Sequence, residues 1–346
     1  MRYYKIQIDD GILPLQIWSS LIVSSASNFI PPSVGIGATN PGALNIEFDM
    51  MLTTAQTAGT ENVNLRIWGA GLDLINKAAQ FNGKYITVEA GMMRGLPLAN
   101  AQANAPIKRN GQILTGTIKQ AYGNWQGVDQ TLDFIIMSGG NPNAASLQNT
   151  TSRGTLDVKQ NGNVTTAAIG VLQNSMGIKN VTPLTSLLIA PNGLRFMFDG
   201  LTDFAQQLNE KTIPLMGKNL ANPYTGLQIY NTSEMCYLYD NYNPSGNPKA
   251  IEFADLVGQP TWLGLLELQI KTILRSDINT GDTIDLNALI NSKIPSYITV
   301  KSQSWLKNNI AFNGLGFVQS VRHVGNFRQP DGNSWVTIIN VLVKSK

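Results

Sequence analysis

Runs in which apolar and polar residues alternate recur along the chain, and this periodicity constrains the fold more than any other feature. The pattern is clearest in residues 63–68, 85–89, 131–136, 297–301 and 335–341, which are rich in β-branched and aromatic residues. Successive side chains of a strand point to opposite faces, so such alternation indicates strands with one buried face. The five runs therefore predict a mainly β protein.

Helical periodicity is limited to three segments, residues 72–80, residues 165–176 and a run that begins at residue 202. Apolar residues share one face in each: Leu72, Ile75 and Ala79 in the first, Ala168, Leu172 and Met176 in the second, and Phe204, Ala205 and Leu208 in the third. Thr165 is the expected N-cap of the second helix, and Gly177 is its expected stop. We therefore expect a few short helices among many strands.

The chain divides into three sections. Its 346 residues predict two or three domains, and the turn-rich segment 139–143 is typical of a boundary. We expect a first β domain in residues 1–140, an α/β insert domain in residues 141–215, and a second β domain in residues 216–346. The two β domains are hypothesised to be diverged copies of one barrel.

Charged residues are unusually scarce. They make up 14% of the chain, against about 25% in an average soluble protein, and Asn, Gln, Ser and Thr take their place. This composition is typical of β-rich chains, and it also suits surfaces that become permanently buried against neighbours, because unpaired charges are costly to desolvate. The formal net charge is only +3, and no basic run exceeds residues 108–109. Specific nucleic-acid binding is therefore not expected.

Few residues are suited to chemistry. One cysteine, Cys236, excludes an intrachain disulfide framework, and one histidine, His323, excludes a zinc site with two histidines. Cys236 lies in an alternating apolar run and is interpreted as a buried small residue, while His323 is interpreted as a strand-end histidine with a structural hydrogen bond. We expect no catalytic, cofactor-binding or metal-binding residue and no cofactor.

Two clusters of aspartates are candidates for a catalytic site: Asp9 with Asp10, and Asp277, Asp282 and Asp285. Turn aspartates are mostly solvated or capping residues, so segment 277–282 is predicted to be a turn between strands and not a calcium loop. Residues 35–38 match no phosphate-binding fingerprint. Five tryptophans are interpreted as core and interface anchors: Trp68, Trp125, Trp262, Trp305 and Trp335.

Neither a secretory signal nor a stretch of about 20 apolar residues that could span a bilayer is visible. The start of the chain, residues 1–5, leads into a short alternation and not into a continuous apolar run. We therefore expect a soluble protein that folds in a reducing compartment.

The order of several motifs resembles a known family. A strand at 63–69, a helix at 72–80 and a strand that ends in a glycine-rich turn at 81–92 open the series. Segments 258–262, 271–282, 318–326 and 334–337 continue it. Together these segments resemble the baseplate hub proteins of contractile-tailed bacteriophages, the myovirus central hub or late control D-like family.

That resemblance implies two tail-tube-like β-barrel domains per chain plus the smaller α/β domain. It implies a homotrimer whose six barrels join a six-fold tail tube to a three-fold spike and initiate tube assembly. The implied partners are the tail tube protein, the central spike protein and the baseplate wedge or sheath-initiator proteins. Genomic DNA would pass through an axial channel without specific binding. The implied location is the tail baseplate of the virion, assembled in the bacterial host cytoplasm, and no enzyme activity is implied.

Two loops are candidates for ring contacts because long turns that bear glycine and asparagine often protrude from barrels. They contain Gly91, Met92 and Gly95 in the first loop and Asn326, Asp331 and Asn333 in the second. Two alternatives stay open. One is another tail structural protein, such as a tube terminator or a spike adaptor, and the other is a tail-associated cell-wall hydrolase.

Overall fold

A computed structural model describes most of the chain. The described residues are 1–9, 14–22, 39–52, 62–93, 110–138, 152–178, 180–217, 223–231, 236–242, 245–264, 266–286 and 314–343. Three α-helices lie in this part of the chain: α1 (Leu72–Asn76), α2 (Val164–Asn174) and α3 (Gly200–Thr212). Short 3₁₀ helices lie at Ala78–Phe81, Ile213–Met216, Phe253–Asp255 and Gly332–Ser334.

Strands dominate the fold and confirm the mainly β class. In the first section they are β1 (Arg2–Asp9), β2 (Pro14–Ser19), β3 (Asn45–Leu52), β4 (Asn62–Trp68), β5 (Tyr85–Met92), β6 (Asn110–Gln126) and β7 (Asp129–Ser138). The middle of the chain adds β8 (Arg153–Val158), β9 (Gly162–Asn163), β10 (Val181–Leu184), β11 (Ile189–Ala190), β12 (Leu194–Asp199), β13 (Gln228–Asn231) and β14 (Cys236–Tyr239). The last section holds β15 (Ser245–Ala250), β16 (Thr261–Trp262), β17 (Glu267–Ile273), β18 (Asp282–Asp285), β19 (Leu315–Asn326) and β20 (Trp335–Val343).

Four of the five predicted strands are confirmed as β4, β5, β7 and β20. Each places its apolar positions in the core because its alternation matches the pleat. The fifth, at residues 297–301, lies outside the described residues, as does the predicted boundary at 139–143.

Strands from both ends of the chain form one sheet of thirteen strands. Its main path runs β16-β17-β20-β19-β3-β4-β7-β6-β5-β1-β2, with β18 and β15 attached beside β19. The joint between the two β-sections is the antiparallel pair β3–β19, in which Leu52 pairs with Val321 and Glu47 with Asn326. Both sections therefore bury their apolar faces in one core. The division into domains 1–140, 141–215 and 216–346 stays a prediction.

A second core lies in the middle of the chain. It is built by α2 and α3 against the two-stranded β8–β12 ribbon and the β10-β14-β13 sheet, and its members run from Leu156 to Leu238. The ring of Tyr239 bridges this unit to the large sheet, since it packs against Phe317 with ring centroids 5.9 Å apart. Gly281 lies beneath Tyr239 with φ +90°, and a Cβ there would be 3.0 Å from the ring. A side chain at residue 281 would therefore disturb the contact between the two cores.

The second and third helices confirm the predicted apolar faces, with Ala168, Leu172 and Phe204 among their buried residues. The predicted cap of the second helix was wrong. Asn163 occupies the N-cap position and its side chain accepts a hydrogen bond from the Thr166 N–H, because the helix begins at Val164. Gly177 follows this helix with φ +71°, as a helix stop requires.

The first predicted helix was wrong in its length and its buried face. Helix α1 ends at Asn76, and a 3₁₀ helix at Ala78–Phe81 follows it. Leu72 and Ala79 are exposed, whereas Ala78 and Phe81 are buried. The large ring of Phe81 packs edge-on against Phe134, with centroids 5.9 Å apart. Because the large Phe81 ring is buried, the connection between β4 and β5 is oriented with Ala78 and Phe81 towards the core, and not with Leu72 and Ala79 as predicted.

Candidate assembly site

The second predicted contact loop, between β19 and β20, is organised by the side chain of Arg2 at the start of β1. The Arg2 guanidinium donates hydrogen bonds to five acceptors, the carbonyl oxygens of Asn326, Phe327, Gln329 and Asp331 and the Oγ of Ser334. It also lies 5.8 Å from the centroid of the Trp335 ring. We call Arg2 and these loop residues the Arg2 cluster. Residues more than 300 positions apart therefore meet here, and Arg2 connects the loop to the start of β1.

Side chains within the loop fix its shape further. Asp331 caps the 3₁₀ helix at Gly332–Ser334, where its Oδ1 accepts a hydrogen bond from the Asn333 N–H at 3.1 Å. The Asn326 Oδ1 accepts from the Gln329 N–H at 3.3 Å. The three predicted residues Asn326, Asp331 and Asn333 therefore lie at one turn whose shape is held by hydrogen bonds.

Two residues of the first predicted contact loop are strand residues. Gly91 and Met92 lie in strand β5, where Met92 pairs with Arg2 and Gly91 with Tyr3. The carbonyl oxygen of Gly91 accepts a hydrogen bond from Trp335 Nε1 at 2.9 Å. The structure thus brings Gly91 and Met92 next to the Arg2 cluster, but as strand residues. Gly95 lies outside the described residues, and a role of these residues in ring contacts stays a prediction.

A polar groove of about 560 Å³ runs over the outer face of the sheet beside this cluster. One row of cross-strand neighbours lines it: Asn326, Glu47, Arg66, Asp133 and Tyr122. Arg66 Nε donates to Asp133 Oδ1 at 2.5 Å, and the Thr131 hydroxyl donates to Asp133 Oδ2 at 3.0 Å. The groove is thus lined by polar groups that are held in fixed positions on a rigid sheet.

The edge of β2 is the second feature suited to assembly. In the β1–β2 ladder the Ser20 N–H donates to the Tyr4 carbonyl, and the Ser19 carbonyl accepts instead from the side chain of Asn40. Antiparallel pairs alternate in this way, so the N–H of Ile17, like the carbonyl of Ser19, points away from β1. No strand in the described part of the chain pairs with this edge. An edge of this kind can pair with another chain.

A hairpin tip exposes two apolar side chains that the sequence reasoning did not single out as a pair. Strands β6 and β7 form a long hairpin that turns at Gly127, and Trp125 is 63% exposed and Val128 96% exposed. Trp125 Nε1 donates to the Gly127 carbonyl at 2.8 Å, which holds the ring at the tip. A two-residue turn between two runs of alternating apolar and polar residues is the sequence feature that predicts such a hairpin tip.

The tryptophans divide between core and surface. Trp262 and Trp335 are buried, Trp68 lies under the Arg66 guanidinium at 5.5 Å, and Trp125 is exposed. The core interpretation is confirmed for the first two. Trp305 lies outside the described residues.

Cys236 and His323 are both buried, as expected. Burial raises the pKa of the Cys236 thiol to about 12, so the thiol is a poor nucleophile near neutral pH. His323 Nδ1 lies 2.9 Å from the Thr337 hydroxyl, which confirms the structural hydrogen bond, although His323 lies inside β19 and not at its end. Burial lowers the pKa of His323 to about 4, so the imidazole is neutral at pH 7.

The candidate carboxylates are held by cations and turns. Asp277 binds the Arg275 guanidinium at 2.6 Å and Asp282 binds Lys249 at 2.6 Å, within the turn between β17 and β18 that was predicted. Burial opposes ionisation of Asp277, but the Arg275 hydrogen bonds and charge outweigh it and lower its pKa. For Asp282, burial raises the pKa despite Lys249.

Asp9 accepts from the Gln7 side chain, while Asp10 and residues 35–38 lie outside the described part. Among the described residues, no group of three His, Cys, Asp or Glu side chains could hold a metal ion. No helix found there is long and apolar enough to cross a membrane.

Acid should destabilise the fold through His323. The native pKa is about 4, against 6.5 for the free side chain, so between these values the unfolded chain binds a proton that the native chain does not. The free energy of unfolding should therefore fall by up to about 3 kcal/mol as the pH drops from 6.5 to 4. Denaturant unfolding at pH 7 and pH 4 measures this. In His323→Gln, the free energy of unfolding should fall by about 3 kcal/mol less than in the wild type over the same pH interval. Equal decreases in the two proteins would contradict the lowered pKa of His323.

Comparison with known proteins gives structural likenesses only. No family profile and no curated protein matches the sequence. Among solved structures, the fold is similar to a tail protein from Neisseria meningitidis MC58, with 8% identity, a TM-score of 0.49, and coverage of 98% of this chain and 96% of that one.

A second similar structure is the 43 kDa tail protein of prophage MuSo2 from Shewanella oneidensis. It has 7% identity and a TM-score of 0.47, and the match covers 100% of this chain and 99% of that one. A third is a chain of the Francisella PdpA–VgrG complex, with 7% identity and a TM-score of 0.42, covering 100% of this chain and 58% of that one.

Proposed function

We propose that this chain is the structural hub of a contractile phage-tail baseplate, and that three copies form a ring. The observation that supports this most is the single large sheet with two unlike ends. One end is β2, and the other end is the two-residue strand β16. An open sheet with unlike ends joins to the next copy head to tail, and such contacts close into rings when the rotation permits.

Ring closure would also pair outward backbone groups of β2, such as the Ile17 N–H, with which no strand in the described part of the chain pairs. An unpaired N–H or C=O group that becomes buried is costly, and strand pairing between neighbours removes that cost. The low content of charged side chains fits the same role, because surfaces rich in amides and hydroxyls can be buried permanently without leaving unpaired charges.

Three copies with two β-sections each would present six similar units, as the resemblance to hub proteins implies. In this proposal residues 1–140 and 216–346 supply the tube-like units and residues 141–215 the α/β insert. One side of the ring would bind the tail tube protein, and the other the central spike. Wedge or sheath-initiator proteins would bind outside, and DNA would pass through the axial channel without specific binding. The ring would form part of the virion baseplate.

The Arg2 cluster is the proposed second contact region of the ring, together with Gly91, Met92 and the neighbouring Gly95. Its turn is held by hydrogen bonds, and the carbonyl groups that Arg2 binds are already satisfied within the chain. A preformed turn of this kind can dock against a neighbour with little reordering. Asn326, Asp331 and Asn333 are the side chains that we assign to this contact.

Replacing Ile17 by proline should abolish ring formation while the chain stays folded. Proline removes the outward N–H of β2, and edge positions of this kind tolerate proline because that N–H makes no bond within the sheet. The mass of the purified chain, measured by light scattering after gel filtration, should correspond to three copies, or to six where two rings associate, for the wild type and to no more than two for Ile17→Pro. The melting temperature should change little.

Ile17→Ala is the matched control, since it removes the side chain but keeps the N–H, and it should retain the mass of the wild type. A wild-type chain that remains a single copy at high concentration would contradict the ring. A trimer that Ile17→Pro leaves intact would show that copies meet elsewhere than at β2.

A further inference from the structure

The β8–β12 ribbon of the middle unit has one covered face and one open face. Helices α2 and α3 pack on the covered face, where Leu156, Phe196 and Phe198 are buried. The open face presents six alternate side chains that we call the ribbon face: Arg153, Thr155 and Asp157 from β8, and Arg195, Met197 and Asp199 from β12. This face is separate from the β2 edge and the Arg2 cluster.

Charges on the ribbon face alternate around its four corners. Arg153 is opposite Asp199, with a distance of 3.0 Å between Nη2 and Oδ2, and Arg195 is opposite Asp157, with 3.8 Å between Nε and Oδ2. Each strand runs from an arginine to an aspartate along the chain. Because the two strands are antiparallel, their charges lie in opposite order side by side. When a second copy of this face is turned over onto the first, about an axis along or across the strands, every arginine meets an aspartate.

The shape of the ribbon face is self-complementary as well. Met197 stands out at its centre and is 75% exposed, although it is a large apolar side chain. Beside it lies a hollow of about 500 Å³, bordered by Arg153, Thr155 and Asp203. Methionine is flexible enough to fill an irregular hollow of this kind.

We propose that the ribbon face is a two-fold contact between two copies of this chain. Met197 of each copy enters the hollow of the other, and the four corner charges of one copy pair with those of the second. A two-fold contact uses the same patch on both copies, so the patch must complement itself in charge and in shape, and the ribbon face does both. Exposed ion pairs are individually weak and are screened by salt, so the association weakens as ionic strength rises.

Two variants with reversed charges test the contact. Asp157→Lys/Asp199→Lys makes all four corners positive, and Arg153→Glu/Arg195→Glu makes all four negative. Each variant repels its own copy, so its self-association, measured by sedimentation equilibrium at low salt, should weaken about tenfold or more. An equimolar mixture of the two should associate at least as tightly as the wild type, because opposite faces then meet. Asp73→Lys/Glu210→Lys, with the same change in net charge as the positive variant but at other exposed positions, should behave like the wild type.

The number of copies separates this contact from the ring. A ring alone gives three copies, the ribbon contact alone gives two, and both together give six. The proposal is overturned if the two charge variants self-associate as the wild type does, or if their mixture associates no more than each variant alone. A variant that fails to fold would also fail to associate in the mixture. Circular dichroism of each variant at the same concentration therefore checks that both are folded.

Discussion

Replacing Arg275 by methionine should lower the free energy of unfolding by roughly 3–5 kcal/mol. Only 1% of the Arg275 side chain is exposed, and its guanidinium binds Asp255, which is 0% exposed, at 3.0 Å. It also donates to the Ala250 carbonyl at 2.9 Å and binds Asp277. Without the guanidinium, the Asp255 carboxylate would lie in the core without its cation, which is the costliest way to break a buried ion pair.

Denaturant unfolding of purified Arg275→Met measures this loss. The matched control is Arg322→Met, which removes an arginine from the half-exposed pair with Asp49 and should change the free energy of unfolding by no more than about 1 kcal/mol. The double variant Arg275→Met/Asp255→Leu should be less destabilised than the single one, because the fully buried Asp255 charge is removed with its cation and only the partly exposed Asp277 loses its partner. A loss below about 1 kcal/mol in Arg275→Met would show that the ion pair is not buried as described.

Phe48→Ala should also be strongly destabilising, by roughly 3–5 kcal/mol. Phe48 lies on β3, and its ring covers Gly325 of β19 and packs edge-on against Trp335 of β20, with centroids 5.3 Å apart. The ring thus joins the first β-section to the last. Removing it leaves a cavity at the joint, so both sections should lose stability together.

Thermal unfolding of Phe48→Ala, followed by near-UV signals of the tryptophans, tests this shared core. The control Met51→Ala removes an exposed side chain from the same strand and should have an effect within about 0.5 kcal/mol. If Phe48→Ala lowered the stability of the first section alone and gave two separate transitions, the two β-sections would have independent cores.

Local periodicity explains which elements could be predicted. Strands such as β4 and β7 have one buried face, so their alternation is visible in the sequence. Strands β9 and β16 have only two residues each, too few to show a period. For α1, three apolar residues have helical spacing, yet burial of the larger Phe81 ring determines which face is buried. Helix propensity and residue spacing predict the buried face poorly where a single large side chain determines the packing.

The joint between the sections and the candidate site depend on contacts that no local pattern contains. Asp49 and Arg322 pair across the β3–β19 joint although they are 273 residues apart. Arg2 was not singled out because an arginine near the start of a chain carries no signal of its own, and its acceptors are main-chain carbonyl groups. The turn-forming residues of the loop at 326–333 were predictable, since asparagine and glycine mark turns locally. The contact of this loop with β1 and β5 could not be predicted from the sequence.

The most direct test of the ring is an averaged electron-microscopic reconstruction of the purified full-length chain. The proposal predicts a closed annulus of three copies around an open channel, with β2 of each copy beside the β16 end of its neighbour. Separate compact particles of one copy each, or open filaments in which the ends join without closing, would contradict it.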